Sequence, residues 1–168
     1  MALMTQDTVT AGGVRVERIE NEVQLQAAYD VRLEVFVHEQ QVPPDEEIDA
    51  LDTDPTTTHV LALDVATGKA LGTARLLPNA ERPGHFHIGR VAVRKEARGR
   101  QIGAALMRAL EDIAAQETDG PAEIELSAQI QASGFYRTLG YEQSGDHEYL
   151  DAGIRHIDMK KKLAPQPR

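Results

Sequence analysis

One stretch constrains the fold more than any other: Gly89 to Leu106, GRVAVRKEARGRQIGAAL. An apolar strand pattern runs into a basic, glycine-containing loop, and the loop runs directly into a helix pattern. Phe86 to Val93 reads as the strand. Ile102, Leu106, Ala109, Leu110 and Ile113 fall on one helical face, and Gly120-Pro121 stops the helix. Five of the eleven residues from Arg90 to Arg100 are basic, and positions 97 to 101 offer no Ser, Thr, Asp or Asn to cap the helix.

The rest of the chain alternates around this unit. Val14 to Ile19 reads as a short strand, and Asn21 with Gln24 as a capping box. Leu25, Ala28, Tyr29, Arg32 and Phe36 line one helical face, ended by Pro43-Pro44, after which an acidic loop is expected. His59 to Asp64 and Ala70 to Leu77 form a hairpin around Ala66-Thr67-Gly68-Lys69. Glu123 to Ser127 is a strand, Ile130 to Leu139 a helix closed by Gly140, and Tyr149 to Lys160 strand with a turn at Asp151-Ala152-Gly153. This order predicts an α/β fold, a mixed sheet with helices on its faces. Residues 1–13 are expected to be a flexible arm, 14–162 a single domain and 163–168 a tail.

Composition narrows the function. A chain of 168 residues suits one domain with a sizeable core. Its formal charge of −9 disfavours a nucleic-acid partner, because binding to phosphate backbones needs a basic face. With no cysteine, a disulfide scaffold and a thiolate metal site are excluded. No apolar run approaches the roughly 20 residues of a membrane-spanning helix, and the N-terminus lacks the layout of a secretion signal. The expected location is cytoplasmic, without a membrane partner.

Free N–H groups at a helix start, the helix dipole and nearby arginines together suit an anion such as a phosphate. Gly99 and Gly103 let a backbone come close to it. The alternative is a helix that begins on water behind a solvated basic loop.

RVAV followed by ARGRQIGAAL resembles the pyrophosphate motif of the GNAT acetyltransferase superfamily, Arg/Gln-x-x-Gly-x-Gly/Ala. Arg98 matches its first position and Gly103 its last, while Gln101 stands where the middle glycine is usual. The departure is mild if Gln101 adopts an ordinary φ. The resemblance implies the GNAT acyl-CoA N-acyltransferase fold, with a mixed, mostly antiparallel sheet flanked by helices. It implies a diphosphate held by N–H groups of Gly99, Arg100, Gln101, Ile102, Gly103 and Ala104, with Arg98 a further cofactor-binding residue. Pantetheine would bond the backbone of the Val91, Ala92, Val93 strand. A second block, IELSAQIQASGFYRTLGY, resembles the family's segment ending Phe-Tyr-x-x-x-Gly-Phe/Tyr. There Gln129 sits at a cofactor-binding position where Asn is common, and Tyr136 matches the tyrosine that protonates the departing thiolate. Read without the resemblance, Tyr136 is more readily a core aromatic with a satisfied hydroxyl.

The N-terminal half adds VRLEVFVHEQQVPPDEEIDALDTD, which resembles the ElaA/YjcF-like branch of that superfamily. Glu34 to Asp54 holds eight acids and no lysine or arginine. Arg32, Phe36, Glu47, Asp49, Asp52 and Arg75-Leu76-Leu77-Pro78 also resemble acyl-homoserine-lactone synthases, but the absence of tryptophan weighs against that reading. Glu47 and Asp49 are candidate substrate-binding residues, since an acidic rim attracts a cationic amine. With equal weight, these acids pair with Arg32, Arg75 and Arg90.

The resemblance implies direct attack by a small-molecule or peptide amine on acetyl-CoA, a cosubstrate, in a ternary complex. Tyr136 is the expected acid and a backbone N–H between Arg90 and Val93 the oxyanion donor. His87 is a candidate base, because imidazole titrates near neutrality; a structural role for it, with Glu47, Asp49 or a water relay as the base, is the alternative. His85 and His87 share a strand face, but no third ligand follows at useful spacing, so no metal is expected. Family members often pair through edge strands or C-terminal elements, so a homodimer is compatible. An acyl-homoserine-lactone-synthase-like enzyme and a non-catalytic acyl-CoA-binding module stay as alternatives.

Overall fold

The computed structural model describes residues 8–9 and 12–165. They form two compact units, described residues up to 75 with 90–110 and residues 76–89 with 111–165. Most of the N-terminal arm and the last three residues lie outside the described residues, but Thr8–Val9 within that arm forms strand β1. Among the described residues no helix is long and apolar enough to cross a membrane.

In the first unit β1 pairs antiparallel with β2 (Val14–Arg18), and β2 antiparallel with β3 (Thr58–Asp64). Strand order continues to β4 (Ala70–Pro78) and β5 (His85–Val93). The β3–β4 connection closes as expected: the Asp64 carboxylate accepts from the N–H groups of Ala66 and Thr67, and Gly68 takes φ +74. Helix α1 (Glu22–Arg32) starts at the predicted capping box, where Asn21 Oδ1 accepts the Gln24 N–H at 2.9 Å and Gln24 Oε1 the Asn21 N–H at 3.2 Å. It runs on as a π-helical segment, Leu33–Glu39. Val31 and Val35 of this continuous helix pack with Ala92, Phe36 and Ala70.

The segment expected as an acidic loop is instead a short helix α2 (Pro44–Glu47) and a 3-10 turn (Ala50–Thr53). Proline at N1 starts α2 because it needs no N–H there. Asp49 starts the turn by accepting the Leu51 N–H at 3.1 Å, while Asp52 accepts the Asp49 N–H at 3.0 Å.

In the second unit His85–His87 pair in parallel with Glu123–Glu125 of β6 (Ala122–Gln129), and β6 pairs antiparallel with β9 (Ile154–Leu163) along its whole length. β7 (Glu142–Gln143) and β8 (Tyr149–Asp151) are also antiparallel to β9. The β8–β9 turn falls on Ala152 (φ +51) and Gly153 (φ +76), the two left-handed residues that a type I′ hairpin needs. Buried Ile124, Leu126 and Ala128 alternate along β6 with more exposed positions, as a half-buried strand requires. The predicted helix at 130–139 is split into a 3-10 turn (Ile130–Ala132) and α4 (Ser133–Thr138). Helix α3 (Ile102–Gln116) sends Glu111 to Tyr141 Oη (2.7 Å) and Lys161 Nζ (3.0 Å).

Gly72 permits the closest approach in the first unit. A Cβ there would lie 3.0 Å from the Ala92 carbonyl oxygen and from Ile102 Cγ2, and 3.1 Å from Leu106 Cδ1. Neither the β5 backbone nor two core side chains can yield cheaply. Gly72→Ala should therefore destabilise the protein by about 1–3 kcal/mol. The urea midpoint should fall at unchanged slope, and an unshifted midpoint would show that this contact relaxes.

Candidate functional site

The sequence-predicted site residues and their partners fall into three groups. The first is the turn between β5 and α3. After Val93 the chain makes a 3-10 turn (Lys95–Ala97), and Gly99 (φ +89) and Gln101 (φ +64) are both left-handed. Only glycine takes the first of these without cost. The ordinary φ expected of Gln101 is overturned, and a side chain there costs about 1–2 kcal/mol. The strain sharpens the entry into α3, whose Ile102 and Leu106 are buried. The first helical bond joins the Ala105 N–H to the Gln101 carbonyl at 3.1 Å. The N–H groups of Ile102, Gly103 and Ala104 thus open the helix, and among the described residues no side-chain hydrogen bond to them is formed.

The loop arginines are placed differently from that expectation. Arg98 grips both Glu39 carboxylate oxygens (3.0 and 2.9 Å), and its Nε donates to the Val93 carbonyl at 3.1 Å. Arg100 donates to Asp64 Oδ2 at 3.2 Å and to the Gly12 carbonyl at 2.9 Å. Both brace the turn, and the anion-binding donors it offers are backbone N–H groups. Of the strand residues, Ala92 is buried while Val91 and Val93 are half-buried. Nothing in the local sequence pointed to Glu39 or Asp64, which lie 59 and 36 positions from their partners.

The second group is a buried charge network. Arg32, 1% exposed, donates through Nε to Glu47 Oε1 (3.0 Å), through its terminal nitrogens to both Asp52 oxygens (2.7 and 3.0 Å), and to the Glu47 carbonyl (2.6 Å). Arg75 joins Asp52 Oδ1 (2.8 Å) to both Asp49 oxygens (2.8 and 3.1 Å). Arg90, itself left-handed at φ +53 within β5, reaches Glu47 Oε1 and Asp49 Oδ2, each at 3.3 Å. Three arginines thus meet three carboxylates. Glu47, a candidate substrate contact, is 3% exposed and its Oε1 is taken by two arginines. Asp49 retains an edge to solvent, with its side chain 34% exposed. His59 Nε2 lies 3.0 Å from the Asp52 carbonyl, and burial pulls its pKa down.

Burial alone would raise the Asp52 carboxyl, but hydrogen bonds from Arg32 and the Asp49 N–H, with the charges of Arg32 and Arg75, hold it at about 2. For Glu47 burial wins over the attraction of Arg90 and Arg32, and its pKa is raised. The two acids therefore act in opposite senses. A depressed pKa makes the Asp52 contribution fully present above pH 3.8 and lost as pH falls toward about 2.

The third group lies in the second unit. Tyr136 of α4 is 8% exposed, and burial pushes its phenol up to about 12. Its ring packs edge-on against Phe135 (5.0 Å) and Tyr141 (6.0 Å). His87 is exposed on β5, between buried Phe86 and Ile88. Gln129 ends β6 and its amide oxygen accepts from the Gln131 side chain. Three donors not grouped by the sequence also meet here: His85, Glu123 and Glu125, whose ligand atoms lie within 4.8 Å of one another. Spacing along one strand could not disclose them, because two come from β6 across the parallel pair.

Asp52→Asn should cost about 3–5 kcal/mol, because it leaves Arg32 and Arg75 buried without their shared partner. The wild type should lose about 2 kcal/mol between pH 4 and 2 from this one group. Urea unfolding across that range should show the loss, and the variant should lack it. A second variant, Gln101→Gly, should raise the melting temperature and Gln101→Ile lower it, since a β-branched residue tolerates positive φ least. Equal melting of both would deny strain at this residue.

Residues 8–163 match the family described as acetyltransferase (GNAT) domain. The N-acetyltransferase YjcF of Bacillus subtilis is 39% identical over 142 residues, spanning 84% of this chain and 95% of that protein. An acyl-CoA N-acyltransferase of Pseudomonas aeruginosa superposes with a TM-score of 0.74 at 33% identity, covering 88% of this chain and 99% of the other. The Escherichia coli ElaA structure gives a TM-score of 0.77 at 26% identity, with coverage of 88% and 99%. The fold is the mixed, mostly antiparallel sheet with flanking helices that these neighbours share. This chain belongs to the GNAT acetyltransferase family.

Proposed function

We propose that the protein transfers an acyl group, in the first instance acetyl, from acyl-CoA to an amine. The observation that carries this reading is the β5–α3 turn, with uncapped N–H groups at Ile102, Gly103 and Ala104 held by a strained, arginine-braced backbone. Such groups stabilise a diphosphate through hydrogen bonds and the positive end of α3. The β5 backbone at Val91, Ala92 and Val93 offers pantetheine a strand edge. Gln129 serves the same cosubstrate from the end of β6.

Direct attack of an amine on the thioester forms the C–N bond and breaks the C–S bond. The nitrogen loses one proton and the sulfur gains one. In this reading His87 accepts the first, and Tyr136 supplies the second. Its phenol, raised to about 12, is fully protonated at working pH and so is always loaded. An acid this weak hands its proton to sulfur only where the thiolate too is poorly solvated, because burial raises both pKa values together. Asp49, with its partial exposure, is the better substrate contact of the two acids, and Glu47 positions Arg32 and Arg90.

Calorimetric titration with acetyl-CoA should show saturable binding that weakens when the diphosphate is trimmed. Gly103→Asp should abolish it by repulsion and obstruction, and unchanged affinity would refute the cradle. Tyr136→Phe should lower kcat with CoA affinity retained. For the wild type, kcat should show no basic limb assignable to this group below pH 10, because the phenol titrates near 12. A basic limb near pH 8 to 9 that vanishes in Tyr136→Phe would mean that the burial does not act as described.

A further inference from the structure

We propose that His85, Glu123 and Glu125 form a binding site for a divalent transition-metal ion such as Zn²⁺, joining β5 to β6. The three residues each present one donor atom, and these atoms lie within 4.8 Å of one another. The parallel register sets His85 opposite Glu123, and His87 opposite Glu125, so all four residues stand on one sheet face. Two carboxylates at i and i+2 repel one another and would ordinarily diverge. Here they converge on an imidazole.

Their natural counter-ions are elsewhere. Lys162 and Lys160 stand opposite Glu123 and Glu125 on β9, yet among the described residues neither lysine forms an ion pair with either carboxylate. Independently, His85 Nδ1 is buried and has no hydrogen-bond partner. A buried ring nitrogen without a partner is uncommon, and metal ligation or a proton held for a carboxylate would account for this ring.

One nitrogen and two carboxylate oxygens suit a borderline ion better than a hard one, which prefers oxygen alone. Ligation at about 2.0–2.2 Å brings donors to roughly 3–3.5 Å from one another. The exposed Glu125 side chain has the freedom to close that distance. Water would complete the coordination. The consequence is mechanical. Among the described residues β5 and β6 pair over His85–His87 with Glu123–Glu125, and one ion would tie His85 of β5 to both Glu123 and Glu125 of β6.

The test uses the metal-stripped full chain, titrated with ZnCl₂ by calorimetry and melted with and without Zn²⁺, with MgCl₂ as the hard-ion comparison. One Zn²⁺ per chain should bind, raise the melting temperature by several degrees and outcompete Mg²⁺. Glu125→Gln, at an exposed position, should weaken Zn²⁺ binding at least tenfold and erase most of the melting shift, while melting like wild type in EDTA. His85→Ala should remove the site. The proposal is overturned by no saturable binding at millimolar Zn²⁺, or by affinity undiminished in Glu125→Gln and His85→Ala. Binding without a melting shift would overturn the tie between β5 and β6.

Discussion

The first unit depends on the guanidinium of Arg32. It is buried at the last turn of α1, and its donors are divided between Glu47 and Asp52, which lie 15 and 20 positions further along the chain. A charge in such a place is stable only if every donor is met, so the 44–53 segment is obliged to fold into two short helical pieces that deliver carboxylates to it. Asp52 then serves twice, as partner of Arg32 and Arg75 and as the acceptor that closes the Asp49 turn. The same network holds Arg90 in β5, the strand that leads into the Gly99–Gln101 turn. Packing alone would tolerate other side chains here, but a buried cation specifies which segment must come to it.

The turn itself shows a second constraint at work. Gly99 and Gln101 are both left-handed, and the arginines beside them are spent on Glu39 and Asp64. Positive side chains are therefore used to fix the backbone that opens α3. That division has a physical logic. A backbone donor held by its neighbours loses no side-chain entropy when an anion arrives, whereas a long arginine would.

Much of this was legible in the sequence wherever the determinant is local. The Asn21–Gln24 box, the Gly68 turn and the Ala152-Gly153 turn each depend on residues within four positions, and each appears where expected. The strand–loop–helix order and the family motifs were readable for the same reason. What was not readable depends on register or on competition between partners. The acids of the 44–53 segment could equally have faced solvent, and only the tertiary structure decides that Glu47 and Asp52 turn inward. Gln101 could not announce its φ, because glutamine is tolerated in both regions at unequal cost. Glu123 and Glu125 could not be joined to His85 before the parallel pairing of β5 and β6 was known.

The arginine–carboxylate network has one more consequence, for the response to ionic strength. Its three positive and three negative groups cancel, so the formal charge of −9 resides entirely on the remaining residues. Added salt shortens the range of surface repulsion but hardly reaches the pairs among Arg32, Glu47, Asp52 and Arg75, whose side chains are buried. The part of the electrostatics that opposes compactness is thus the part that salt weakens, and the part that organises the fold is shielded from it by its own burial. Exposed pairs such as Lys69–Glu96 and Arg155–Glu148 loosen in salt, while the buried arginines and carboxylates keep their partners.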